Sequence, residues 1–594
     1  MSIGTGWARF DDLRAGTALL FPAADRIVVA SRTDEVAEAL AEVERATDAG
    51  RWAFGYVAYE AAAGLDPDLL THDAEADGMP LVWFGIGDAP SPAAPLVPGP
   101  SDYRVGWRPG WTPEGYLGDV RRVHERIAAG DTYQCNLSVR MRGEVRGDPS
   151  DLYRDLALNQ RGSYNSYLDL GRHVVASASP ELFFQRRGDE LLLRPMKGTS
   201  RRGRYLREDH DRAIRLRSDE KERAENIMIV DLMRNDAARV ATTGSVRVPA
   251  LCTVERYETV LTMTSDVTAR LRPGVGLVEL FRALFPCGSV TGVPKPRTME
   301  IIRELEDGPR GVYCGAIGWV GPPGEPVSAR FSVGIRTVAI DRTAGTAVYG
   351  TGGGITWSSD PDAEHAELHA KAAVLRAPEP EFELVETMRH DPVHGLVNGD
   401  AHLRRLADSA EYLGFRFDEA EAIELLDSHL AGCGAAVVRL TCTRAGSLLV
   451  SVSGAYRRPD HSRVVVDDEP VDSASRWRYH RTTLRESDGR RRAQRLGVED
   501  VVLVNERGEL TELTGATLAV ELDGRWCTPP ISSGCLPGVE RARLLAQRMV
   551  HEQVLRPVDL ARAQRIRAIS SAQGWRALQV TTRTQVSSRI STVA

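Results

Sequence analysis

Two proline-rich segments divide this chain and set how many hydrophobic cores it can build. The first is DAPSPAAPLVPGPSD at residues 88–102, and the second is RAPEPEFEL at residues 376–384. Proline cannot continue a helix or donate to a sheet ladder, so both segments predict linkers or exposed loops. At 594 residues the chain also exceeds what one core accommodates. We expect an N-terminal region at 1–100, a central domain at 101–376, a second domain at 382–577 and a polar tail at 578–594.

Composition excludes several classes of function. A net charge of −7 is not that of a protein that binds nucleic acids through a basic stripe. The eight cysteines include no CxxC pair, which favours a reduced protein over a disulfide scaffold or a zinc site. No apolar run approaches the roughly 18 residues of a transmembrane helix, and the N-terminus lacks a signal-peptide pattern. We expect a cytoplasmic enzyme with neither a membrane nor a nucleic acid as partner.

Lysine is scarce in this chain. Only Lys197, Lys221, Lys295 and Lys371 occur, against 71 arginines. An amine can lose its proton and act as a nucleophile, whereas a guanidinium effectively cannot. Each lysine is therefore a candidate for chemistry rather than for generic positive charge. The final 223 residues contain none, so no lysine there can form a Schiff base.

Several short motifs follow one another through the patterned region at residues 103–375. Alone, SPE at 179–181 predicts a turn, and PMKGT at 195–199 predicts a strand end with a glycine turn. They are followed by ERAENIMIVDLMRND, CGSVTGVPKPRTMEII, YCGAIG, FSVGIRT and GTGGGITWSSDPDAEHAELHAK. This succession resembles the chorismate-binding enzymes, which include anthranilate, aminodeoxychorismate, isochorismate and salicylate synthases. The resemblance implies an α+β fold of antiparallel sheets packed with surrounding helices.

The resemblance also implies a site built for a poor leaving group. Chorismate is a dicarboxylate whose C4 hydroxyl must leave, which calls for Lewis-acid and general-acid help. By resemblance, Glu225 and Glu367 bind Mg²⁺. Glu222 and Glu364 either support them or lie on solvated helix faces. Glu181 is the implied general acid that protonates the departing hydroxyl.

Further residues are implied to contact the substrate. Tyr313 and Arg336 would hold the enolpyruvyl carboxylate, the arginine by bidentate pairing. Two turns would offer backbone N–H groups to carboxylate oxygens. The lysines in these motifs would meet carboxylates or form plain salt bridges, and Lys221 is either functional or a helix-face charge. The remaining implied contacts are Ser289, Thr291, Gly292, Lys295, Gly352, Gly353, Gly354 and Lys371.

Three positions separate the branches of the family. Gln134 stands where the isochorismate and salicylate branches carry a lysine base that activates water at C2. Lys197 in PMKGT matches the aminodeoxychorismate branch, whose amine attacks C2 as the C4 hydroxyl leaves, whereas the anthranilate branch reads PIAGT. Thr262 replaces the histidine that helps anthranilate synthases expel pyruvate. We therefore expect C4 amination with the enolpyruvyl group retained, and a C2-aminating anthranilate or aminodeoxyisochorismate synthase is the alternative.

The nitrogen source is expected to be a separate glutamine amidotransferase subunit that delivers ammonia. Such glutaminases carry a glycine-flanked cysteine nucleophile with a downstream histidine and glutamate. AGCGA at 431–435 is the one Gly-Cys-Gly in the chain, and no HxE follows it. A loop or helix-end cysteine is therefore the favoured interpretation of Cys433.

Residues 382–577 resemble the fold-type IV pyridoxal-phosphate enzymes, most closely aminodeoxychorismate lyase. The resemblance is carried by FELVETMR, HLRRLADSAEYLG, DVVLVNERGELTE and TPPISSGCLPGVERARLL. It implies an α/β domain in which Arg405 and the turn SSGCLPG receive the cofactor phosphate and Glu512 faces the pyridine nitrogen.

Two departures predict that this second domain is degenerate. Arg481 stands where the Schiff-base lysine belongs, and Thr517 replaces the usual amide. Arginine cannot form an aldimine, so we expect no pyridoxal-phosphate chemistry and a role in packing, dimerisation or partner docking. A bifunctional synthase–lyase that makes 4-aminobenzoate is the alternative.

Overall fold

The computed structural model describes residues 6–74, 78–376, 381–454, 461–496 and 498–581. The chain divides into two units. Unit 1 contains Met1–Arg201 and Ala213–Glu379, and unit 2 contains Arg202–Arg212 and Pro380–Ala594. Residues 377–380 of the predicted linker RAPEPEFEL and residues 582–594 of the predicted tail lie outside the described residues.

Apart from residues 202–212, which belong to unit 2 and include the start of α5, the strands and helices up to residue 376 build unit 1 around two sheets. The strands are β1 (Trp7–Asp12), β2 (Thr17–Phe21), β3 (Arg26–Ala30), β4 (Trp52–Val57), β5 (Val82–Gly87), β6 (Ser91–Ala93), β7 (Tyr103–Val105), β8 (Arg108–Pro109), β9 (Gln134–Gly147), β10 (Tyr164–Asp169), β11 (His173–Ser179), β12 (Leu182–Arg187), β13 (Glu190–Arg194), β14 (Met196–Arg201), β15 (Arg247–Arg256), β16 (Val260–Arg270), β17 (Gly292–Val293), β18 (Ala316–Val320), β19 (Ala329–Val333), β20 (Thr337–Asp341) and β21 (Thr346–Thr356). The α-helices are α1 (Val36–Asp48), α2 (Ala62–Leu65), α3 (Pro113–Ala128), α4 (Pro149–Gln160), α5 (Leu206–Ser218), α6 (Glu220–Ala238), α7 (Leu277–Leu284), α8 (Lys295–Leu305) and α9 (Pro361–Ala372).

Both sheets of unit 1 are antiparallel in the pairings described. The first runs β17-β9-β21-β20-β11-β10-β1-β2-β6, with β7 and β8 also on β9, and the second runs β14-β16-β13-β12-β19-β18-β4-β5-β3, with β15 on β16. Strands from before residue 100 enter both sheets, because β1 pairs with β10 and β4 pairs with β18. Within the first proline-rich segment, β6 forms the edge beside β2 and places Pro92 opposite Leu19. An edge tolerates proline because its missing N–H faces no partner strand.

Large aromatic side chains join the two sheets face to face. Phe21 of β2 packs on Phe54 of β4 at 5.3 Å and on Trp319 of β18 at 6.5 Å between ring centroids. Helices α1, α6 and α7 share one buried cluster with the second sheet, and α4 packs on the first. The buried Ile229 and Val230 of α6 belong to this cluster. One edge of the candidate site is therefore held by a helix anchored in the core.

Unit 2 contains a four-stranded and an eight-stranded sheet. Its strands are β22 (Leu384–Asp391), β23 (Gly395–Leu396), β24 (Ala436–Cys442), β25 (Leu448–Gly454), β26 (His461–Val466), β27 (Asp500–Val504), β28 (Leu510–Leu513), β29 (Thr517–Leu522), β30 (Arg525–Thr528), β31 (His551–Glu552), β32 (Arg565–Ser570) and β33 (Gly574–Val580). Its remaining helices are α10 (Gly399–Leu413), α11 (Glu419–Leu430), α12 (Thr483–Leu496), α13 (Val539–Ala546) and α14 (Pro557–Arg562).

The sheets of unit 2 match the implied mixed α/β architecture. The smaller is antiparallel in the order β23-β22-β24-β25, and the larger runs β28-β27-β26-β33-β32-β29-β30-β31. Strand β26 pairs in parallel with both β27 and β33. Helix α10 buries one apolar face, at Leu403, Leu406, Ala410 and Leu413. Across the described ranges, no helix is long and apolar enough to cross a membrane.

Candidate active site

The glycine-rich strand β21 forms the floor of the candidate site in unit 1. Gly354 lies opposite Asn136 of β9. A β-carbon on Gly354 would lie 2.6 Å from Lys197 Nζ and 3.0 Å from the Gln134 side-chain nitrogen. The chain needs glycine at this position because both side chains approach the strand backbone closely.

Lys197, in β14, extends over this floor. Its Nζ lies 3.4 Å from Glu225 Oε2, and its side chain is 18% exposed. Its carbonyl oxygen accepts a hydrogen bond from the Asn226 amide at 2.9 Å, and Thr262 Oγ1 donates to the carbonyl of Gly198 at 3.0 Å. Helix α6 and strand β16 thus hold the backbone carbonyls of Lys197 and Gly198 in place.

Four carboxylates from two helices lie around this amine. Glu222 and Glu225 are one turn apart on α6, and Glu364 and Glu367 are one turn apart on α9. The charge of Lys197 acts on Glu222, Glu364 and Glu367. Burial raises the pKa of Glu222, and the neighbouring charge of Glu225 raises it further. Burial likewise raises the pKa of Glu364, with a further contribution from Glu367.

This concentration of acid suits a hard divalent cation. Burial favours the neutral form of Glu367, but Lys371 Nζ at 2.8 Å and Lys197 hold the pKa of Glu367 below its ordinary value. Mg²⁺ favours carboxylate oxygens and is usually bound by one or two of them together with water and substrate oxygens. Glu225 and Glu367 thus offer oxygen donors of the kind that Mg²⁺ prefers, and each is paired with a lysine, at 3.4 and 2.8 Å. The described residues form no cluster of three or more His, Cys, Asp or Glu side chains arranged to hold a metal.

Glu181 is a buried carboxyl at the start of β12. Only 3% of the residue is exposed, and burial raises the pKa of Glu181 to about 7. Hydrogen bonds from Ser289, the Met196 backbone and Cys287, together with the charge of Lys197, oppose this shift. A carboxyl that keeps its proton near neutral pH can donate it to a departing oxygen.

Tyr313 packs on strand β21, and Arg336 contacts the carboxyl end of α9. A β-carbon on Gly350 of β21 would lie 2.2 Å from the Tyr313 ring, so the ring rests directly on the floor. The Tyr313 hydroxyl lies 3.3 Å from Ser138 Oγ, and burial raises the pKa of Tyr313. Arg336, whose φ is 54°, donates to the carbonyl oxygen of Lys371. The Arg336 guanidinium and the Tyr313 hydroxyl thus each contact a protein oxygen.

The first of the two predicted carboxylate-binding turns contains Ser289, Thr291 and Gly292, and its side chains already contact other protein groups. Ser289 Oγ lies 3.2 Å from Cys287 Sγ and also contacts Glu181. The Thr291 hydroxyl donates within its own turn, to the carbonyls of Cys287 and Gly288 at 3.3 Å. Gly292 pairs with Cys135 of β9.

The second predicted turn is tied to α9 by a lysine. Lys371 Nζ donates to the carbonyl of Gly352 at 2.6 Å. A β-carbon on Gly353 would lie 2.8 Å from Glu364 Oε2. Lys371 and the glycines therefore belong to the group of residues that the structure gathers around Lys197.

Two lysines lie apart from this group. Lys295 is buried and donates to Asp236 Oδ2 at 2.9 Å and to the carbonyl of Leu284 at 3.2 Å. Its amine is thus satisfied by protein groups in a structural ion pair. Lys221 is exposed on α6.

Sequence reasoning missed Asn226 as a residue of this site. Besides holding the Lys197 carbonyl, Asn226 accepts a hydrogen bond from Ser265 Oγ at 2.6 Å. It is 1% exposed on a helix whose first turns carry mainly charged residues. The sequence did contain a signal, which is an asparagine directly after the proposed metal ligand Glu225. A buried amide needs several fixed hydrogen-bond partners, so such a residue can hold neighbouring groups in place.

In unit 2, the predicted pyridoxal-phosphate contacts bind other protein groups. Arg405 pairs with both carboxylate oxygens of Glu386, at 2.8 and 2.6 Å, and donates to the Pro537 carbonyl at 3.2 Å. Glu512 lies 2.5 Å from Arg478 and 2.5 Å from Arg485.

The residues present in unit 2 do not fit pyridoxal phosphate. Arg481 donates to Thr387 Oγ1 at 3.2 Å and to Glu486 at 3.1 Å, and no lysine follows Lys371. The carboxylate implied to face the pyridine nitrogen is held by two guanidinium groups. Thr517 is buried, and its Oγ1 would lie 2.9 Å from a β-carbon on Gly538.

Comparison with known families places a boundary near residue 380. Residues 87–377 match the model of the chorismate binding enzymes, and residues 383–579 match that of the class IV amino-transferases. The structure of anthranilate synthase component I from Streptococcus pneumoniae covers 62% of this chain and 90% of its own, with a TM-score of 0.51 and 26% identity.

Curated relatives come from two branches of one family. Anthranilate synthase component 1 of Streptomyces coelicolor is 42% identical over 298 residues, which cover 49% of this chain and 57% of that protein. Aminodeoxychorismate synthase component 1 of Bacillus subtilis is 39% identical over 266 residues, which cover 45% of this chain and 56% of that protein. The chain thus spans little more than half the length of these relatives. Overall sequence identity to these relatives does not separate the two branches. The assignment to a branch therefore depends on individual site residues.

Proposed function

The chain carries a chorismate-binding enzyme domain followed by a class IV aminotransferase domain, and on this premise we propose that it aminates chorismate at C4. The product is 4-amino-4-deoxychorismate, which lies on the route to 4-aminobenzoate and folate. The observation that carries the proposal is the Lys197 amine, held over the glycine floor among four carboxylates. An alanine at this position, as in the anthranilate branch, would leave room for ammonia itself at C2.

Lys197 and Glu181 divide the chemistry of the first step. Reacting as its free amine, Lys197 forms a bond to C2 and its nitrogen becomes an ammonium, both ring double bonds shift, and the C4–oxygen bond breaks. Glu181 gives its proton to the departing oxygen, which leaves as water. Ammonia then forms a bond to C4, both double bonds shift back, and the C2–nitrogen bond breaks to release the Lys197 amine. The new ammonium at C4 returns a proton to the Glu181 carboxylate.

The remaining residues bind and orient the dicarboxylate. Glu225 and Glu367 would hold Mg²⁺, which supplies Lewis-acid polarisation and a counter-charge for the ring carboxylate. Arg336 and Tyr313 would contact the enolpyruvyl carboxylate. Thr262, whose hydroxyl is engaged by Gly198, offers no proton shuttle for pyruvate loss.

We propose that a separate glutaminase subunit supplies the ammonia. Cys433 lies in the turn after α11, where Sγ donates to the His429 carbonyl at 3.2 Å. The purified chain should therefore turn over chorismate with ammonium but not with glutamine alone. Robust glutamine-dependent turnover without a partner would contradict this part of the proposal.

The second candidate function is amination at C2, because an anthranilate synthase (42% identical) is about as similar to this chain as an aminodeoxychorismate synthase (39% identical). Incubating the chain with chorismate, ammonium and Mg²⁺, and identifying the product by mass spectrometry and NMR, decides between the two. We expect a C4 amine with an intact enolpyruvyl group. Anthranilate or a C2 amine as the main product would overturn the C4 proposal.

A further inference from the structure

A large cavity in unit 2 is lined by arginines. Its volume is about 680 Å³, and it lies between strands β22 and β24, helix α12 and the strands of the larger sheet. We call it the arginine cavity. The arginines that line it are Arg405, Arg439, Arg481, Arg485, Arg490, Arg541 and Arg576.

Several of these arginines keep an unused donor inside the protein. The Nε atoms of Arg481, Arg485 and Arg541 are buried without a hydrogen-bond partner, and so is Nε2 of His402, which also lines the cavity. The side chain of Arg485 is only 10% exposed and that of Arg541 only 3%. A buried N–H without a partner costs roughly 1–3 kcal/mol, so this arrangement favours a ligand that accepts hydrogen bonds.

Five acids also line the cavity, namely Glu486, Glu499, Asp500, Glu512 and Glu540, and two of them each pair with two arginines. Glu512 pairs with Arg478 and Arg485, both at 2.5 Å. Glu486 pairs with Arg439 at 2.8 Å and with Arg481 at 3.1 Å.

Seven lining arginines face five lining acids, so positive charge is in excess in the cavity. Burial lowers the pKa of Arg481, and the like charges of Arg405 and Arg485 lower it further. An anion placed beside these guanidinium groups would relieve that repulsion.

We propose that the arginine cavity binds a small organic dianion noncovalently, a phosphate monoester or a dicarboxylate, without a Schiff base. Guanidinium groups only donate hydrogen bonds, and their planar fork matches carboxylate and phosphate oxygens. The volume lies in the range of about 300–1,000 Å³ that is typical of small-molecule sites. The Thr514 and Thr517 side chains also line the cavity and can orient a ligand. This binding does not depend on chorismate amination in unit 1.

Calorimetry on the full-length chain tests the proposal with two dianions and two controls. Pyridoxine 5′-phosphate has no aldehyde and represents the phosphate monoesters, with uncharged pyridoxine as its control. Chorismate represents the dicarboxylates, with the monoanion 4-hydroxybenzoate as its control. We expect at least one dianion to bind unit 2 at least about tenfold more tightly than its control.

Two substitutions locate the site. Arg481→Met and Arg485→Met each leave the paired acid with another arginine, because Glu486 keeps Arg439 and Glu512 keeps Arg478. Each should weaken that binding by about tenfold or more, while Arg525→Met, an exposed arginine outside the cavity, should not. For chorismate, the variants should remove one binding event and leave any event in unit 1.

Either of two results overturns the proposal. One is that neither dianion binds the wild-type chain better than its control, a comparison that needs no variant. The other is that Arg525→Met weakens binding as much as Arg481→Met and Arg485→Met do.

Discussion

The Lys197 amine lies 3.4 Å from the Glu225 carboxylate, at the point where strand β14 passes helix α6. The proposed nucleophile and a proposed Mg²⁺ ligand are therefore direct neighbours. Under the proposed function, this proximity would place covalent chemistry and metal binding in one site, and three of the predictions below separate these roles.

Replacing Lys197 by alanine should abolish C4 amination. The amine is the only atom of the side chain that can form the bond to C2, so we expect turnover to fall by about 10³-fold or more. Product formation from chorismate, ammonium and Mg²⁺ measures this. Lys221→Ala is the matched control, since Lys221 is exposed on α6 and should keep wild-type activity. Undiminished C4 amination by Lys197→Ala would rule out the covalent step.

The rate should depend on the proton carried by Glu181. Burial raises the pKa of Glu181 to about 7 from an ordinary value of 4.5. The protonated, proton-donating form is thus present below pH 7 and is lost as the pH rises through that value, so kcat/KM should fall on the alkaline side.

Glu181→Gln should lower kcat and remove that alkaline limb. Glu60 provides a matched control, because burial also raises its pKa to about 7 and it accepts hydrogen bonds from the backbone of Arg310 and Gly311. If Glu60→Gln removes the limb and Glu181→Gln keeps it, the general acid has been assigned to the wrong carboxyl.

Removing one carboxylate of the proposed metal site should raise the Mg²⁺ requirement. Chelation with EDTA should stop turnover of the wild-type chain, and added Mg²⁺ should restore it. Glu225→Gln and Glu367→Gln should each raise the Mg²⁺ concentration for half-maximal activity by about tenfold or more. Glu220→Gln, an exposed position on α6, serves as the control. An unchanged Mg²⁺ dependence in both site variants would exclude them as ligands.

Lys295 should matter to stability rather than to catalysis. Its amine is buried against Asp236 at 2.9 Å. Lys295→Met would leave the Asp236 carboxylate uncompensated, which typically costs about 3–5 kcal/mol. Denaturant unfolding should show this loss, and Lys295→Met combined with Asp236→Leu should recover much of it. A stable Lys295→Met chain with a greatly raised KM for chorismate would instead place Lys295 at the substrate.

Unit 2 should not remove pyruvate from the product. Arg481 cannot form an aldimine, and both guanidinium groups on Glu512 oppose a protonated pyridine beside it. With pyridoxal phosphate present, a lactate dehydrogenase assay should detect no pyruvate. The absorbance of an internal aldimine, at about 420 nm, should not appear. Pyruvate released in step with aminodeoxychorismate would identify a bifunctional synthase–lyase.

Much of the candidate site was predictable because its residues occur in ordered motifs. We predicted Lys197, Glu225 and Glu367 as site residues from the motifs PMKGT, RAENIM and HAELHAK. The structure brings these three side chains together. Lys295 was expected to meet a substrate carboxylate or to form a salt bridge, and the structure places it in a buried pair with Asp236. That distinction depends on a contact between residues 59 positions apart, which no local pattern encodes.

The sequence by itself determined which lysines each half of the chain contains. A lysine stands in PMKGT, and none follows residue 371, whatever the fold. Only the tertiary structure decided which groups meet: Asn226 with the Lys197 carbonyl, Glu181 in a site dry enough to raise its pKa, and Glu512 with two arginines. Burial and long-range pairing set these properties, because a side chain's pKa and partners depend on neighbours that lie far away in the sequence.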